Sequence, residues 1–172
     1  MRKILYLTLT LCIISSVVKS QELRPYQFIQ FFKTYQLENS IHILSGTDCL
    51  RGYDKQWMYM EPLSIPTETE YMHFWLYSTE SIQQPKHKVS ASTSKANGSH
   101  YVEYEFNEPY LYQQYLTQII NMNPEDGGVS KVDGGTGRIY NVGGLTFVLR
   151  TFPAGMKAEN TVYTVALTED RR

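Results

Sequence analysis

Seven short stretches rich in aromatic and β-branched residues, each bounded by turn signals, set the tightest limit on what this chain can fold into. They are IHIL at 41–44, QWMYM at 56–60, YMHFWLYS at 71–78, HYVEYEF at 100–106, RIYNV at 138–142, LTFVLRTF at 145–152 and NTVYTVAL at 160–167. Residues of this kind fit a pleated, half-buried surface, so each stretch predicts a strand. Between them stand Ser45-Gly46-Thr47, Arg51-Gly52, Glu61-Pro62, Gln84-Pro85, Asp126-Gly127-Gly128, Asp133-Gly134-Gly135 and Pro153-Ala154-Gly155. Short strands with such punctuation imply an antiparallel sandwich or barrel. IYNV-Gly143-Gly144-LTFV reads as one hairpin, because a type I′ turn needs positive φ at both central positions and glycine takes it without steric cost.

Two segments read differently. From Pro25 to Leu37, Phe28, Phe32 and Tyr35, with Ile29 and Phe31 beside them, recur at helical spacing and predict a short amphipathic helix. PYLYQQYLTQII at 109–120 is ambiguous: Leu111, Tyr115 and Ile119 at four-residue spacing suit a helix, whereas its aromatics suit a strand continuing from Phe106. The aromatic content favours a strand followed by a turn.

The first twenty residues, MRKILYLTLTLCIISSVVKS, have the form of a secretory signal, with Arg2 and Lys3 before an apolar run and Val18-x-Ser20 as a small-residue cleavage site. The run is too short and too interrupted by Ser and Thr to predict a membrane span. Residues 21–172 then form a single domain, long enough to bury a real core. Of the 16 basic residues in the chain, Arg2, Lys3 and Lys19 leave with the signal, so 13 face 17 acids, a balance of the wrong sign for nucleic-acid binding by counterion release. Cys12 leaves as well, making Cys49 the lone cysteine of an extracellular domain; a buried thiol, an intermolecular bridge and the remnant of a lost pair are the alternatives, the first being the simplest. Asn97-Gly98-Ser99, inside the Ser-rich stretch SASTSKANGSH, is an N-glycosylation acceptor in what reads as an exposed loop.

Alternation within the strands nominates a binding surface. In YMHFWLYS, Tyr71, His73, Trp75 and Tyr77 share one face and Met72, Phe74 and Leu76 the other, both bulky enough to imply that both are covered. In HYVEYEF, Tyr101, Glu103 and Glu105 oppose Val102, Tyr104 and Phe106. The simpler arrangement leaves the glutamates in solvent. The functional alternative turns them inward to await a cation, with Trp57, Tyr59, Trp75 and Tyr77 completing an aromatic wall. Catalysis is not indicated: His42, His73, His87 and His100 lack metal-ligand spacing, no hydrolase or phosphate-loop motif is present, and the glycine-rich VDGGTGR precedes a strand rather than a helix. No cofactor is implied.

The order of parts resembles the tick salivary lipocalins of the histamine-binding group: a signal peptide, the aromatic helix FIQFFKTY, the stretch IHILSGTDCL carrying one cysteine, then IYNVGGLTFVLRTF and NTVYTVALTED. The resemblance implies a mainly β, antiparallel, lipocalin-like eight-stranded barrel with a short N-terminal helix. It implies a secreted carrier that sequesters a biogenic amine or a lipid mediator such as a leukotriene, with no nucleic-acid or membrane partner. The chain departs from that family in having no cysteine in TVYTVAL or at Thr146-Phe147, and in reading Asp48-Cys49 where the amine binders read Cys-Asp. Trp57, Tyr59, His73, Trp75, Glu103 and Glu105 are the expected ligand-binding residues. The alternative is a protein-binding inhibitor on the same scaffold, acting on a host protein through loops at 79–100 and 123–137.

Overall fold

A computed structural model describes residues 22–37, 42–60, 69–77, 87–132, 135–152 and 161–169. The segment read as a signal, Ile41, and the turns at 61–62, 84–85 and 153–155 lie outside the described residues. In chain order the elements are α1 (Pro25–Leu37), α2 (His42–Tyr53), β1 (Trp57–Tyr59), β2 (Glu70–Tyr77), β3 (His87–Ser94), β4 (His100–Phe106), α3 (Pro109–Asn121), β5 (Glu125–Val132), β6 (Gly135–Val142), β7 (Leu145–Phe152) and β8 (Val162–Glu169).

All eight strands form one antiparallel sheet in the order β1-β2-β3-β4-β8-β7-β6-β5. It consists of two four-stranded meanders joined through their last strands, with Glu103 opposite Ala166 near the middle of the β4–β8 seam. The mainly β, antiparallel expectation holds. The barrel does not appear: the sheet is open, with β1 and β5 as its edges.

The segment read as a strand is also corrected. PYLYQQYLTQIIN is helix α3, begun by Pro109, with Leu111, Tyr115 and Ile119 buried and Gln113, Gln114 and Thr117 facing out. It carries the chain from β4, in the middle of the sheet, to β5 at the far edge, so β8 rather than β5 pairs with β4. Met122 and the positive φ of Asn123 end it. IHIL is likewise corrected: His42 to Tyr53 form helix α2, whose Leu50 is buried and whose Gly46 lies against the Trp75 ring.

The expected helix Pro25–Leu37 is α1, and Phe28, Phe31, Phe32 and Tyr35 make its buried stripe. Two strands were hidden in stretches read as loops. Much of SASTSKANGSH belongs to β3, only Lys95 to Ser99 forming the turn, and the segment around Asp126-Gly127-Gly128 is β5, bulged at that point. Gly143 and Gly144, with φ of 54° and 83°, make the β6–β7 turn as the sequence predicts.

Register decides the faces. Trp75, Val89, Tyr104, Val165 and Leu149 lie opposite one another across β2, β3, β4, β8 and β7 and so point to one side. The helices cover that side: Phe31 meets Trp75, Phe28 meets Tyr104, and Tyr115 meets Phe106, at ring-centroid separations of 5.4, 6.2 and 5.9 Å. Among the described residues, no helix is long and apolar enough to cross a membrane.

Candidate functional site

The six residues nominated from sequence do not meet. Trp57, Tyr59, His73 and Trp75 share the helix-covered face, since Trp57 pairs with Tyr77 and Tyr59 with Trp75. Glu103 and Glu105 point the opposite way, in register with Phe74-Ser90 and Leu76-Lys88.

On the helix-covered face the aromatics are structural. Trp57 and Trp75 are fully buried. The Trp75 indole N–H donates to Thr47 Oγ1 at 2.9 Å, tying the sheet to α2. The Tyr59 hydroxyl and His73 Nδ1 share a 3.1 Å hydrogen bond. Beneath the start of α1, the Leu23 N–H donates to the Tyr104 hydroxyl and the Leu23 carbonyl accepts from Tyr115, at 3.2 and 2.8 Å. Burial holds the Tyr104 and Tyr115 phenols well above the usual tyrosine range. Cys49 is a free, half-buried thiol donating to the Tyr53 hydroxyl at 3.6 Å.

On the helix-free face, the two glutamates neither stand in open solvent nor await a cation, because each has one. Arg150 Nη1 donates to Glu103 Oε2 at 2.8 Å and to the Tyr101 hydroxyl at 3.1 Å, and the Tyr101 hydroxyl donates to the same Glu103 oxygen at 2.7 Å. The Arg150 and Glu103 side chains are only 15 and 21% exposed. Burial, followed by the Glu103 charge, pushes the Tyr101 phenol upward. Lys88 pairs with Glu105 at 2.5 Å in a more open setting, 32 and 35% exposed. Between these pairs, Thr164 is 3% exposed, and its Oγ1 has no hydrogen-bond partner among the described residues.

Beside the Arg150 cluster opens a cavity of about 410 Å³, lined by Glu70, Met72, Ser90, Ala91, Ser92, Tyr101 and Arg150. Two larger hollows lie among the helix ends. The first, about 570 Å³, sits where α1 starts and α2 ends; its Arg51 donates to the Trp57 carbonyl and its Asp54 accepts from Tyr77 and from the Gln56 N–H, so these groups serve the fold. The second, about 790 Å³, is an open groove between α1 and α3 lined by Tyr26, Tyr110 and glutamines, with Arg24 its sole charged group. Among the described residues, the sheet cavity is the hollow that adjoins the half-buried Arg150–Glu103 pair, and it is the candidate site. No protein-family model, no curated protein and no solved structure matches this chain. The site therefore rests on its own geometry.

Sequence reasoning missed Arg150, Tyr101, Ser90 and Ser92. A signal was present for the first: Arg150 is the one charged residue in LTFVLRTF, and a charge within an apolar strand needs a partner. Ser90 and Ser92 were hidden because their strand was read as loop.

Proposed function

We propose that the protein is a secreted carrier that holds a small molecule, without transforming it, on the helix-free face of its sheet. The observation that carries this reading is the Arg150–Glu103–Tyr101 cluster beside the 410 Å³ cavity. A half-buried ion pair contributes little net stability, since desolvation offsets its attraction. Its placement at a cavity of ligand size, within the roughly 300–1,000 Å³ common for small-molecule sites, is what binding uses.

Secretion enters through the signal-like residues 1–20, and a carrier role for an amine or lipid mediator through the likeness to tick salivary lipocalins. The lipocalin barrel is not part of the reading, because β1 and β5 are the edges of an open sheet. A simple amine pocket is not favoured either, since both glutamates already hold cations. The loop-borne inhibitor loses ground for a comparable reason: within 79–100 the residues His87–Ser94 are β3, and much of 123–137 is β5 and β6. In a secreted protein, Asn97 is the expected glycan site; it is exposed at the β3–β4 turn, with its side-chain oxygen accepting from the Ser99 N–H and hydroxyl at 3.0 and 2.8 Å. Enzymatic deglycosylation should lower the mass of the secreted protein and leave Asn97→Gln unchanged.

The test is calorimetric titration of the mature protein with histamine, serotonin, a leukotriene and a long-chain fatty acid. Tryptophan emission is a poor reporter, because Trp57 and Trp75 lie on the other side of the sheet. One saturable ligand is expected, its binding abolished by Arg150→Met and unchanged by Tyr59→Phe. Binding lost in Tyr59→Phe and kept in Arg150→Met would move the site to the helix-covered face.

A further inference from the structure

The outward side of α3 carries chemistry that the fold does not use. Leu111, Tyr115 and Ile119 fill its buried stripe, and the solvent side of such a helix ordinarily mixes charged residues among polar ones. PYLYQQYLTQIIN has no charged residue at all. In their place Tyr110, Gln113, Gln114, Thr117, Gln118 and Asn121 recur at spacings of three and four, which puts them on one face about 16 Å long. That face is one wall of the 790 Å³ groove, and Arg24 and Tyr26, at the start of α1, form the other. Tyr26 is 58% and Tyr110 49% exposed, so two of the five exposed large hydrophobic side chains among the described residues converge on this groove.

We infer that the groove between α1 and α3 is a binding site for oligosaccharides, separate from the sheet cavity and independent of the carrier reading.

The side chains of Tyr26, Tyr110, Gln113, Gln114, Gln118 and Asn121 make no hydrogen bond among the described residues. Each amide therefore presents two donors and a carbonyl acceptor to whatever enters. A sugar hydroxyl both donates and accepts, so neighbouring hydroxyls on one ring satisfy both ends of an amide together. Tyrosine supplies a flat apolar face with a polar tip, which matches a pyranose, apolar on its C–H faces and polar at its edge. No carboxylate lines the groove, so nothing in it selects a cation. Arg24, its one charge, is a multiple donor that serves sugar hydroxyls as well as anions. A proline-rich peptide also suits exposed aromatic rings, but it offers carbonyl acceptors almost exclusively, and the glutamine oxygens would be desolvated without donors. The ligand that answers every group on this wall is uncharged, hydroxyl-rich and elongated.

The experiment is a calorimetric titration of the full mature protein with four neutral sugars, maltopentaose, mannopentaose, chitotetraose and lacto-N-tetraose, and with sialyllactose and decaproline as comparisons. At least one neutral sugar is expected to bind saturably, with an affinity that does not change in about 1 M salt, since no ion pair forms. Tyr110→Ala and Gln114→Met should each weaken it at least about tenfold and leave the thermal melt unchanged, because both side chains are exposed. Tyr110→Phe, which keeps the ring, should retain most of the affinity. Tyr71→Ala, a comparably exposed tyrosine on β2 outside the groove, should leave it as it was. Failure of all four neutral sugars to bind, binding that survives both Tyr110→Ala and Gln114→Met, or binding of sialyllactose alone that disappears in salt would overturn the inference. Decaproline bound in preference to every sugar would overturn it as well and assign the groove to a proline-rich partner. None of these outcomes touches the sheet cavity, whose ligand is tested separately.

Discussion

The two faces of this sheet are made from the same strands, alternate residues going to each, yet they differ in kind. Toward the helices, Trp57, Trp75, Tyr77, Tyr104 and Phe106 are fully buried among the rings of α1 and α3. Their hydrogen bonds run to neighbouring elements: Trp75 to Thr47, Tyr104 to Leu23, Tyr77 to Asp54. Away from the helices, charges meet within the sheet itself, Arg150 with Glu103 and Lys88 with Glu105. Covered aromatic surface holds the fold together, since each large ring withdrawn from water stabilises by about 1.5–3 kcal/mol. The opposite face buries smaller side chains, Leu76, Val148, Thr164 and Ala166, so its share of the stability is smaller, and its Arg150–Glu103 pair borders the cavity.

That division predicts a large asymmetry between neighbours in β2. Trp75→Ala should lower stability by about 3–5 kcal/mol in urea unfolding, since it empties a fully enclosed site and strands the Thr47 hydroxyl. Phe74→Ala, directed to the half-buried opposite side, should cost less than about 2 kcal/mol. Equal losses would mean that the helix-free face is also core, and would remove the room for a ligand.

Alkaline pH probes the covered face next. The Tyr104 and Tyr115 phenols lie well above their ordinary value because burial disfavours the phenolate. The unfolded chain therefore releases these protons first. Stability is full below about pH 10 and falls as pH rises beyond it, by up to about 1.4 kcal/mol per pH unit for each such phenol. Thermal melts from neutral to strongly alkaline pH should show this loss, and Tyr115→Phe should diminish it. A flat profile would show that water reaches these hydroxyls.

How much of this was legible beforehand can be traced to particular residues. β4, β7 and the Gly143-Gly144 turn were, because alternation and positive φ are local properties that a strand or turn carries with it. The stripe of α1 was, for the same reason. His42 to Tyr53 was not: a short apolar run suits strand and helix alike, and α2 is decided by where Gly46 fits against Trp75. β3 and β5 were missed because serines and glycines say loop, and only pairing with both or one of their neighbours makes them strands. The candidate site was half legible. The glutamates were found, but Arg150, the partner of Glu103, lies 47 residues further on, and no local pattern reports a register between β4, β8 and β7. Reading α3 as a strand hid the join of the two meanders at their last strands, β4 and β8.

Gly46 sharpens the comparison at the scale of a single methyl group. A Cβ there would come within 2.8 Å of the Trp75 ring, itself immobilised by Phe31 and Thr47. Glycine to alanine in an open helix gains about 1 kcal/mol. At Gly46 the same change should instead destabilise, by about 1–3 kcal/mol, because the ring has nowhere to move. Gly52, near the end of the same helix with open space around it, is the control, and Gly52→Ala should be neutral or gain up to about 1 kcal/mol. If both alanines stabilise, α2 is not pressed against the sheet.

The smallest expected effects lie within the helix-free face, between Glu103 and Glu105. They are two residues apart on β4, point the same way and each hold one cation, so they differ mainly in burial and in the number of bonds received. Glu103 accepts from both Arg150 and Tyr101 in the better-covered setting. Glu103→Gln leaves Arg150 half-buried beside a neutral amide and should cost about 1–2 kcal/mol. Glu105→Gln releases Lys88, whose pair is about a third exposed and so held mostly by screened attraction; its cost should stay below about 1 kcal/mol and vanish at high salt. Denaturant melts of the two variants at low and at molar salt distinguish the cases. A salt-insensitive loss at Glu103 beside a salt-sensitive one at Glu105 places the enclosed charge at the Arg150 end of the face, next to the cavity. Two identical salt-sensitive losses would make both pairs ordinary surface contacts and leave the cavity without its charged wall.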